Sequence, residues 1–316
     1  MNDQTRPPLL ALPPTRPRRL IYFGTPEASV LPLVALHEAN FDIALVVSQP
    51  DRKRGRGSKF SPSPVKAAAI ELGLKVTDNL DSAAKLAAES TIDLGVVVAY
   101  GRLIPTEMLV QLAMVNIHFS LLPHWRGAAP VERAILSGDA ETGVCLMALA
   151  PKLDAGDIYA CRSIPITNAD TALGLRERLS GVGAQMVVDE LTNGLSSPKP
   201  QVGEPTYARK ITAEEHQLDL SLPADQILRT IRLGRAWTTY DNKRFKILHA
   251  EVAESADIAD VDQTGLLSEV GAILGDLVVT GDGLLRLLTV QPEGRKAVSA
   301  RDWINGSQPP SGARLV

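Results

Sequence analysis

Asn116 and His118 stand one residue apart in the stretch NIHFSLLPHWRGAAP (Asn116–Pro130), and in this 316-residue sequence they are the side chains best placed for chemistry. An amide donor can hold the negative charge that develops on an oxygen when a carbonyl carbon is attacked. An imidazole can stabilise the same charge or move a proton. In a strand Asn116, His118 and Ser120 point to one side. Taken singly, His118 also reads as a buried histidine with a satisfied ring, and Asn116 as a turn former. As a pair at a strand end, before a proline-closed turn that presents His124, Trp125 and Arg126, they read as a site. A third group, Asp154, lies in KLDAGDI, on a short glycine-containing loop after an apolar run. A carboxylate reaching His118 would fix the tautomer of its ring, although Asp before Ala-Gly also suits an Asx-turn. A metal held by His118, His124 and Asp154 lacks the support of an H-x-x-x-H spacing or a thiolate.

Such residues need a sheet to present them. RRLIYFG (Arg18–Gly24) is an apolar run ending in Gly, and Thr25 with Pro26 is a start signal for a helix over Glu27–Glu38. Further apolar strands are predicted at 41–50, 74–79, 93–101, 114–120 and 142–150, with helices at 64–73, 81–90, 128–138 and 171–194. Strands that alternate with helices and lack period-two patterning predict an α/β, Rossmann-like, mostly parallel sheet covered on both faces. The Asn116–His118 pair then falls at the carboxyl end of a central strand, where open α/β sheets bind ligands. The first strand ends FGTPE, with a single glycine. The G-x-G-x-x-G of a dinucleotide site is missing and no P-loop occurs, which disfavours an NAD enzyme.

Residues 1–17 are rich in Pro and Arg and read as a disordered tail, its LLAL too short for a signal-peptide core or a membrane span. Residues 18–193 form the expected catalytic domain, and 194–209, rich in Pro, Ser and Gly, a linker. From 210 to 316 short strands around one helix, ADQILRTIRLG, predict a small OB-like β-barrel. Cys145 and Cys161 are too few for a disulfide framework and have no metal spacing, which fits a reducing cytosol.

The net charge of −3 makes local basic clusters informative. One is the loop QPDRKRGRGSKFSPSPVK, with Arg52, Lys53, Arg54, Arg56 and Lys59 and no acid among them. It reads as a solvated charge run or as an arm for a polyanion, RNA backbone being the best fit. Arg229, Arg232 and Arg235, three residues apart on the C-terminal helix, make a second basic stripe.

Together NIHFSLLPHWRGAAP, VVVAYGRLIP, the basic loop and LDAGDI resemble the methionyl-tRNA formyltransferase family, within the wider 10-formyltetrahydrofolate transferases. The resemblance runs from about Arg18 to the C-terminus, including GDGLLRLLTVQPEGRKAVSARDWING. It implies a Rossmann-like domain without a nucleotide, joined to an OB-like domain that helps hold tRNA. It makes Asn116, His118 and Asp154 the catalytic trio, and places folate against Ser120, Leu121, Leu122 and Pro123, with Gly101 and Ile104. tRNA would be held by Arg52, Lys53, Arg54, Arg56, Lys59, Arg229 and Arg232. The implied co-substrate is 10-formyltetrahydrofolate, with no metal, and the implied partner initiator methionyl-tRNA. The chain is then expected to be cytoplasmic, away from membranes, and monomeric. Two places depart from the family pattern: Pro151-Lys152 before the LDAGD segment, and LGRAWTTY around Trp237. An amino-sugar nucleotide formyltransferase, a folate-dependent hydrolase and a catalytically silent RNA-binding protein are the alternatives at this point.

Overall fold

In chain order the first elements are β1 (Arg19–Gly24), α1 (Val30–Glu38), β2 (Asp42–Val47), β3 (Arg52–Lys53), β4 (Phe60–Ser61), α2 (Pro64–Glu71), β5 (Val76–Thr77) and α3 (Leu80–Glu89). There follow β6 (Leu94–Val98), α4 (Thr106–Gln111), β7 (Met114–His118), β8 (Arg126–Gly127), α5 (Pro130–Ser137), β9 (Glu141–Ala148), β10 (Ile158–Pro165), α6 (Ala172–Asn193) and β11 (Tyr207–Ala208). This computed structural model describes residues 9–53, 60–254 and 269–316.

Seven of these strands form one sheet in the order β10-β9-β7-β6-β1-β2-β5. β5, β2, β1, β6 and β7 run parallel, as the apolar runs predict. β6 and β7 are buried at every residue, the pattern of strands covered on both faces. β9 pairs antiparallel with β7, and β10 antiparallel with β9. Expectation and structure part at β10, a strand absent from those the sequence predicts. It is an edge strand with half of its residues exposed and the rest part-buried, so only the short run IYAC could announce it.

The helices begin where their caps direct. Ser63 accepts from the Lys66 N–H at the start of α2, with Pro64 in the first turn, and Asn79 accepts from the Asp81 N–H at the start of α3. Thr25 behaves otherwise than expected. It is not a helix cap: its hydroxyl donates to the Tyr100 carbonyl at 2.8 Å. The Gln49 amide donates to the same carbonyl at 3.0 Å. One oxygen thus ties together the chain leaving β1, β2 and β6.

Two further expectations, on the tail and the cysteines, are corrected, and the linker gains detail. Residues 9–17 of the supposed disordered tail are placed: Ala11 N–H donates to the Leu109 carbonyl, Leu195 N–H donates to the Thr15 carbonyl, and Leu10 packs on the core. Residues 1–8 lie outside the described residues. The linker is paired as well, Lys199 bridging Ile158 and β11 pairing with β8. Cys145 and Cys161 form a disulfide, because the β9–β10 register sets them directly opposite with 4.2 Å between their α-carbons; a separation of 16 positions hides this in the sequence. Among the described residues no helix is long and apolar enough to cross a membrane.

The chain divides into two compact units, but not into consecutive halves. One holds residues 1–130, 141–165 and 176–208; the other holds 131–140, 166–175 and 209–316. The second unit contains α7 (Ala224–Ile231), β12 (Trp237–Tyr240), β13 (Lys243–Val252), β14 (Ile273–Leu274), β15 (Leu277–Val279), β16 (Leu284–Pro292), β17 (Val298–Ser299) and α8 (Ala300–Ser307). Its antiparallel sheet runs β12-β13-β16-β15-β14, with β17 on β16. Residues 313–316 close it: they bond the backbone of Gly271 and Ile273 on one side and Thr239 on the other. Closure removes both sheet edges, as a small barrel requires. Phe245, Tyr240 and Trp303 pack edge-on and tilted against one another in its core, Phe245 and Trp303 with ring centroids 4.6 Å apart. Residues 255–268, within the stretch expected to form short strands, lie outside the described residues.

Within this unit Glu215 accepts from Arg133 at 2.6 Å and from the Thr212 N–H at 2.9 Å. The Arg133 guanidinium, and then that N–H, hold its carboxyl below the ordinary value. A lowered folded value adds stability above the unfolded value, and this is lost as pH falls through the folded one. Glu215→Gln is therefore expected to lower the thermal midpoint at neutral pH and to reduce the further loss on acidification. An acid profile identical to wild type, measured by calorimetry, would show that the pair contributes nothing.

Candidate active site

His118 is the last residue of β7 and only 5% exposed. Its Nε2 lies 2.9 Å from the Trp125 carbonyl. A carbonyl can only accept, so Nε2 carries a hydrogen and Nδ1 is the nitrogen left to work. Nδ1 is 3.7 Å from Asp154 Oδ2. That carboxylate oxygen also accepts the Gly127 N–H at 2.7 Å. Two backbone groups flanking Arg126 therefore hold the imidazole and the carboxylate: the Trp125 carbonyl and the Gly127 N–H.

The backbone at these points is special. Trp125 and Asp154 have φ of +59° and +45°, the left-handed region that side chains other than glycine rarely adopt. Each costs on the order of 1–3 kcal/mol, and such strain persists only where the surroundings over-determine it. The Trp125 N–H donates to Thr206 Oγ1 at 2.9 Å, and β8–β11 pairing grips the next two residues. Gly127 has φ +123°, and a β-carbon there would stand 2.8 Å from the Ala208 carbonyl, so the turn needs glycine twice over.

Asn116 lies between β6 and β9, opposite Val97 and Met147, and is 8% exposed. Its side-chain amide makes no hydrogen bond to any described residue. An amide that reaches the surface with unspent donors, two residues from His118 on the same strand face, suits an oxygen that arrives with a substrate.

The expected folate residues surround the same strand ends. Ser120 is fully buried and donates to the His124 carbonyl at 2.5 Å, tying the turn to itself. Leu122 packs with Cys145 and Met147, and the Leu122–Pro123 peptide is cis. Leu121 is half-buried. Gly101 has φ +78° and follows the Tyr100 carbonyl on which β1 and β2 converge. Ile104 points into the core with Tyr100 and Met108.

The expected tRNA residues divide. Arg52 is exposed at the start of a short hairpin and donates to Gln49 Oε1. The backbone of Lys53 pairs with Phe60, while Arg54, Arg56 and Lys59 lie outside the described residues. Arg229 and Arg232 are otherwise engaged. Arg229 bonds Asp225 at 2.8 Å and the Ser137 carbonyl at 3.4 Å. Arg232 donates to the carbonyls of Asp170 and Thr167, each at 2.6 Å. At these two positions the stripe predicted for phosphates also holds the Asp225 carboxylate and backbone carbonyls of the second unit. Arg235, the third of the stripe, lines a cavity of about 550 Å³ with Trp237, Arg244 and Lys246. The Arg244 guanidinium sits 4.0 Å from the Trp237 ring centroid.

Two polar residues near the site give no signal of their role in the sequence. Arg126 is 7% exposed and donates twice to Gln201. Gln201 reaches the loop of Asp154 from a segment whose composition says only linker. Among the described residues no cluster of three or more His, Cys, Asp or Glu side chains could hold a metal ion.

The sequence matches the formyl transferase family over residues 18–191, and the formyl transferase C-terminal domain over residues 210–308. A methionyl-tRNA formyltransferase of Jannaschia sp. (strain CCS1) is 42% identical over 303 residues, 92% of this chain and 97% of that one. One from Methylococcus capsulatus (strain ATCC 33009 / NCIMB 11132 / Bath) is 40% identical over 302 residues, 91% of this chain and 96% of that one. Among solved structures, HypX from Aquifex aeolicus in complex with tetrahydrofolic acid is 16% identical with a TM-score of 0.61. It covers 94% of this chain, which spans about half (48%) of that one, a likeness of fold alone.

Proposed function

Because the chain belongs to the formyl transferase family, we propose that it transfers a formyl group from 10-formyltetrahydrofolate to the α-amine of methionyl initiator tRNA, yielding formylmethionyl-tRNA for translation initiation. The observation that carries this reading is the unspent Asn116 amide two residues from His118, whose working nitrogen faces Asp154. Identity of 40–42%, over nearly the full length, to relatives named for this reaction supports the choice of acceptor.

The neutral amine forms its bond to the formyl carbon, and the carbonyl electron pair moves onto oxygen. Asn116 and protonated His118 hold that oxyanion. On collapse the bond to the folate nitrogen breaks, and the proton from the amine goes to the leaving nitrogen. Asp154 holds His118, stabilises its positive charge and helps organise the passage of the proton from the amine. The Ser120–Pro123 turn, with Gly101 and Ile104, is the proposed folate wall. Arg52–Lys59 and the cavity lined by Arg235, Arg244 and Lys246 are the proposed tRNA-binding surfaces. In this reading the protein works in the cytoplasm as a monomer.

Incubating the purified protein with 10-formyltetrahydrofolate and charged initiator tRNA is expected to give formylated product, and a nucleotide-linked amino sugar none. The reverse pattern would move the protein to the sugar-modifying branch, and folate breakdown without an acceptor to the hydrolases. The basic loop gives a sharper test. Each phosphate left without its cation should reduce the slope of log affinity against log salt by about 0.7–0.9. Arg54→Ala with Arg56→Ala is expected to raise KM for the tRNA several-fold and flatten its salt dependence, leaving KM for the folate in place. Unchanged tRNA kinetics at two salt concentrations would reduce the loop to a solvated run.

A further inference from the structure

We propose that Gln201 is a positioning residue for formyl transfer, and that with Arg126 it fixes the loop that carries Asp154. The inference rests on the reading of Asp154 as part of the chemistry.

The side chain of Gln201 is spent at both ends. Its Oε1 accepts from Arg126 Nε at 3.0 Å and from Nη2 at 2.6 Å. Its amide nitrogen donates to the carbonyls of Asp154 and Gly156, both at 2.8 Å. A guanidinium has donors only, so the amide oxygen must face Arg126, and its two hydrogens can only face the two carbonyls. The amide is not free to flip.

These hydrogen bonds form a closed circuit. The Arg126 side chain grips Gln201, and Gln201 grips the backbone of residues 154 and 156. The Asp154 carboxylate returns to the N–H of Gly127, next in chain to Arg126. Trp125, on the other side of Arg126, supplies the carbonyl that holds His118. The separation of His118 Nδ1 and Asp154 Oδ2, 3.7 Å, is therefore set by a ring in which Gln201 is the link between two chain segments. Asp154 adopts φ +45°, a conformation the loop must be held in. Gln201 supplies that hold without touching the reacting atoms. A glutamine is suited to this and a charged residue is not, because one end must accept from a guanidinium while the other donates twice.

The test compares Gln201→Glu, Gln201→Ala and Arg126→Lys with wild type in the tRNA formylation assay, alongside thermal melts. Glutamate keeps its pairing with Arg126 and so the local fold, but it has no hydrogens for the two carbonyls. Gln201→Glu and Gln201→Ala are both expected to lower kcat by about 10-fold or more, the scale for loosening a group held to within an ångström. KM for the tRNA and the folate should stay within about 2-fold, because both ends of the Gln201 amide are taken by protein groups. Arg126→Lys keeps the charge and loses the two-point grip, so its kcat should fall between these variants and wild type. The deciding arm is the double variant. If Gln201 acts through Asp154, adding Gln201→Glu to Asp154→Asn should cost less than about 2-fold further. Folded Gln201→Glu protein with wild-type kcat would overturn the proposal. So would a loss that adds in full to that of Asp154→Asn. A wild-type protein that formylates nothing would instead bring down the functional reading, a result these variants cannot mimic.

Discussion

Replacing His118 or Asn116 by alanine is expected to lower kcat for tRNA formylation by roughly 10²–10³, the scale for losing one oxyanion-stabilising group. The two variants should differ in stability, and the structure says in which direction. The Asn116 amide bonds to no described residue, so Asn116→Ala removes donors that only the transition state uses. Its thermal midpoint should stay close to wild type while its rate collapses. His118 donates to the buried turn through the Trp125 carbonyl. His118→Ala removes that hydrogen bond, at a cost of about 0.5–1.5 kcal/mol, so rate and melting temperature should fall together. Steady-state kinetics at saturating folate and tRNA, with a melt of each variant, separate the cases. Near-normal turnover in either variant would show that the pair is not the catalytic centre.

The second large effect is expected at a glycine. A β-carbon on Gly156 would lie 1.8 Å from the carbonyl oxygen of Ala148 and 2.8 Å from its carbon. Both atoms are backbone at the end of β9, so no side chain can swing away. Gly156→Ala must push the 154–157 loop outward, carrying Asp154 away from His118 and the Gly156 carbonyl away from Gln201. Misplacement by about 1 Å can cost on the order of 10²-fold in rate, and that is the loss expected in kcat. The melting temperature should fall as well. Gly306 is the matched control: it lies within α8 with nothing in reach of an added β-carbon. There alanine should leave the rate alone and stabilise the helix by about 0.5–1 kcal/mol. Full activity in Gly156→Ala would mean that the loop does not depend on its approach to β9.

Why is the centre of this site legible in the sequence, and its frame not? Asn116 and His118 can be read because strand periodicity alone puts them on one face, and because an amide beside an imidazole has few bland uses. Asp154 can be suspected from its glycine-containing loop, but only the antiparallel register of β9 on β7 brings it to His118. The family resemblance, rather than spacing, supplies that pairing at the level of sequence. Gln201 gives no signal, since its partners are two backbone carbonyls and a guanidinium brought together by tertiary folding. Arg229 and Arg232 give an ambiguous one. A three-residue spacing of arginines is the same whether the helix faces phosphate or the carbonyls of Thr167 and Asp170. In the sheet, buried parallel strands announce themselves as apolar runs. The half-exposed edge strand β10 has only the short run IYAC, and the apposition of Cys145 and Cys161 follows from its register on β9.

The interleaving of the two compact units bears on how this architecture can be recombined. A gene fusion joined anywhere in 194–208 looks like a clean exchange of one half for another. It would in fact take residues 131–140 and 166–175 from one parent and the rest of their unit from the other. Arg133 would then have to find a foreign Glu215, and the carbonyls of Thr167 and Asp170 a foreign Arg232. The segments that must be inherited together are scattered along the gene, so viable chimeras between homologues require parents that agree at these positions. The breakpoint suggested by composition is therefore one that selection on shuffled genes should avoid.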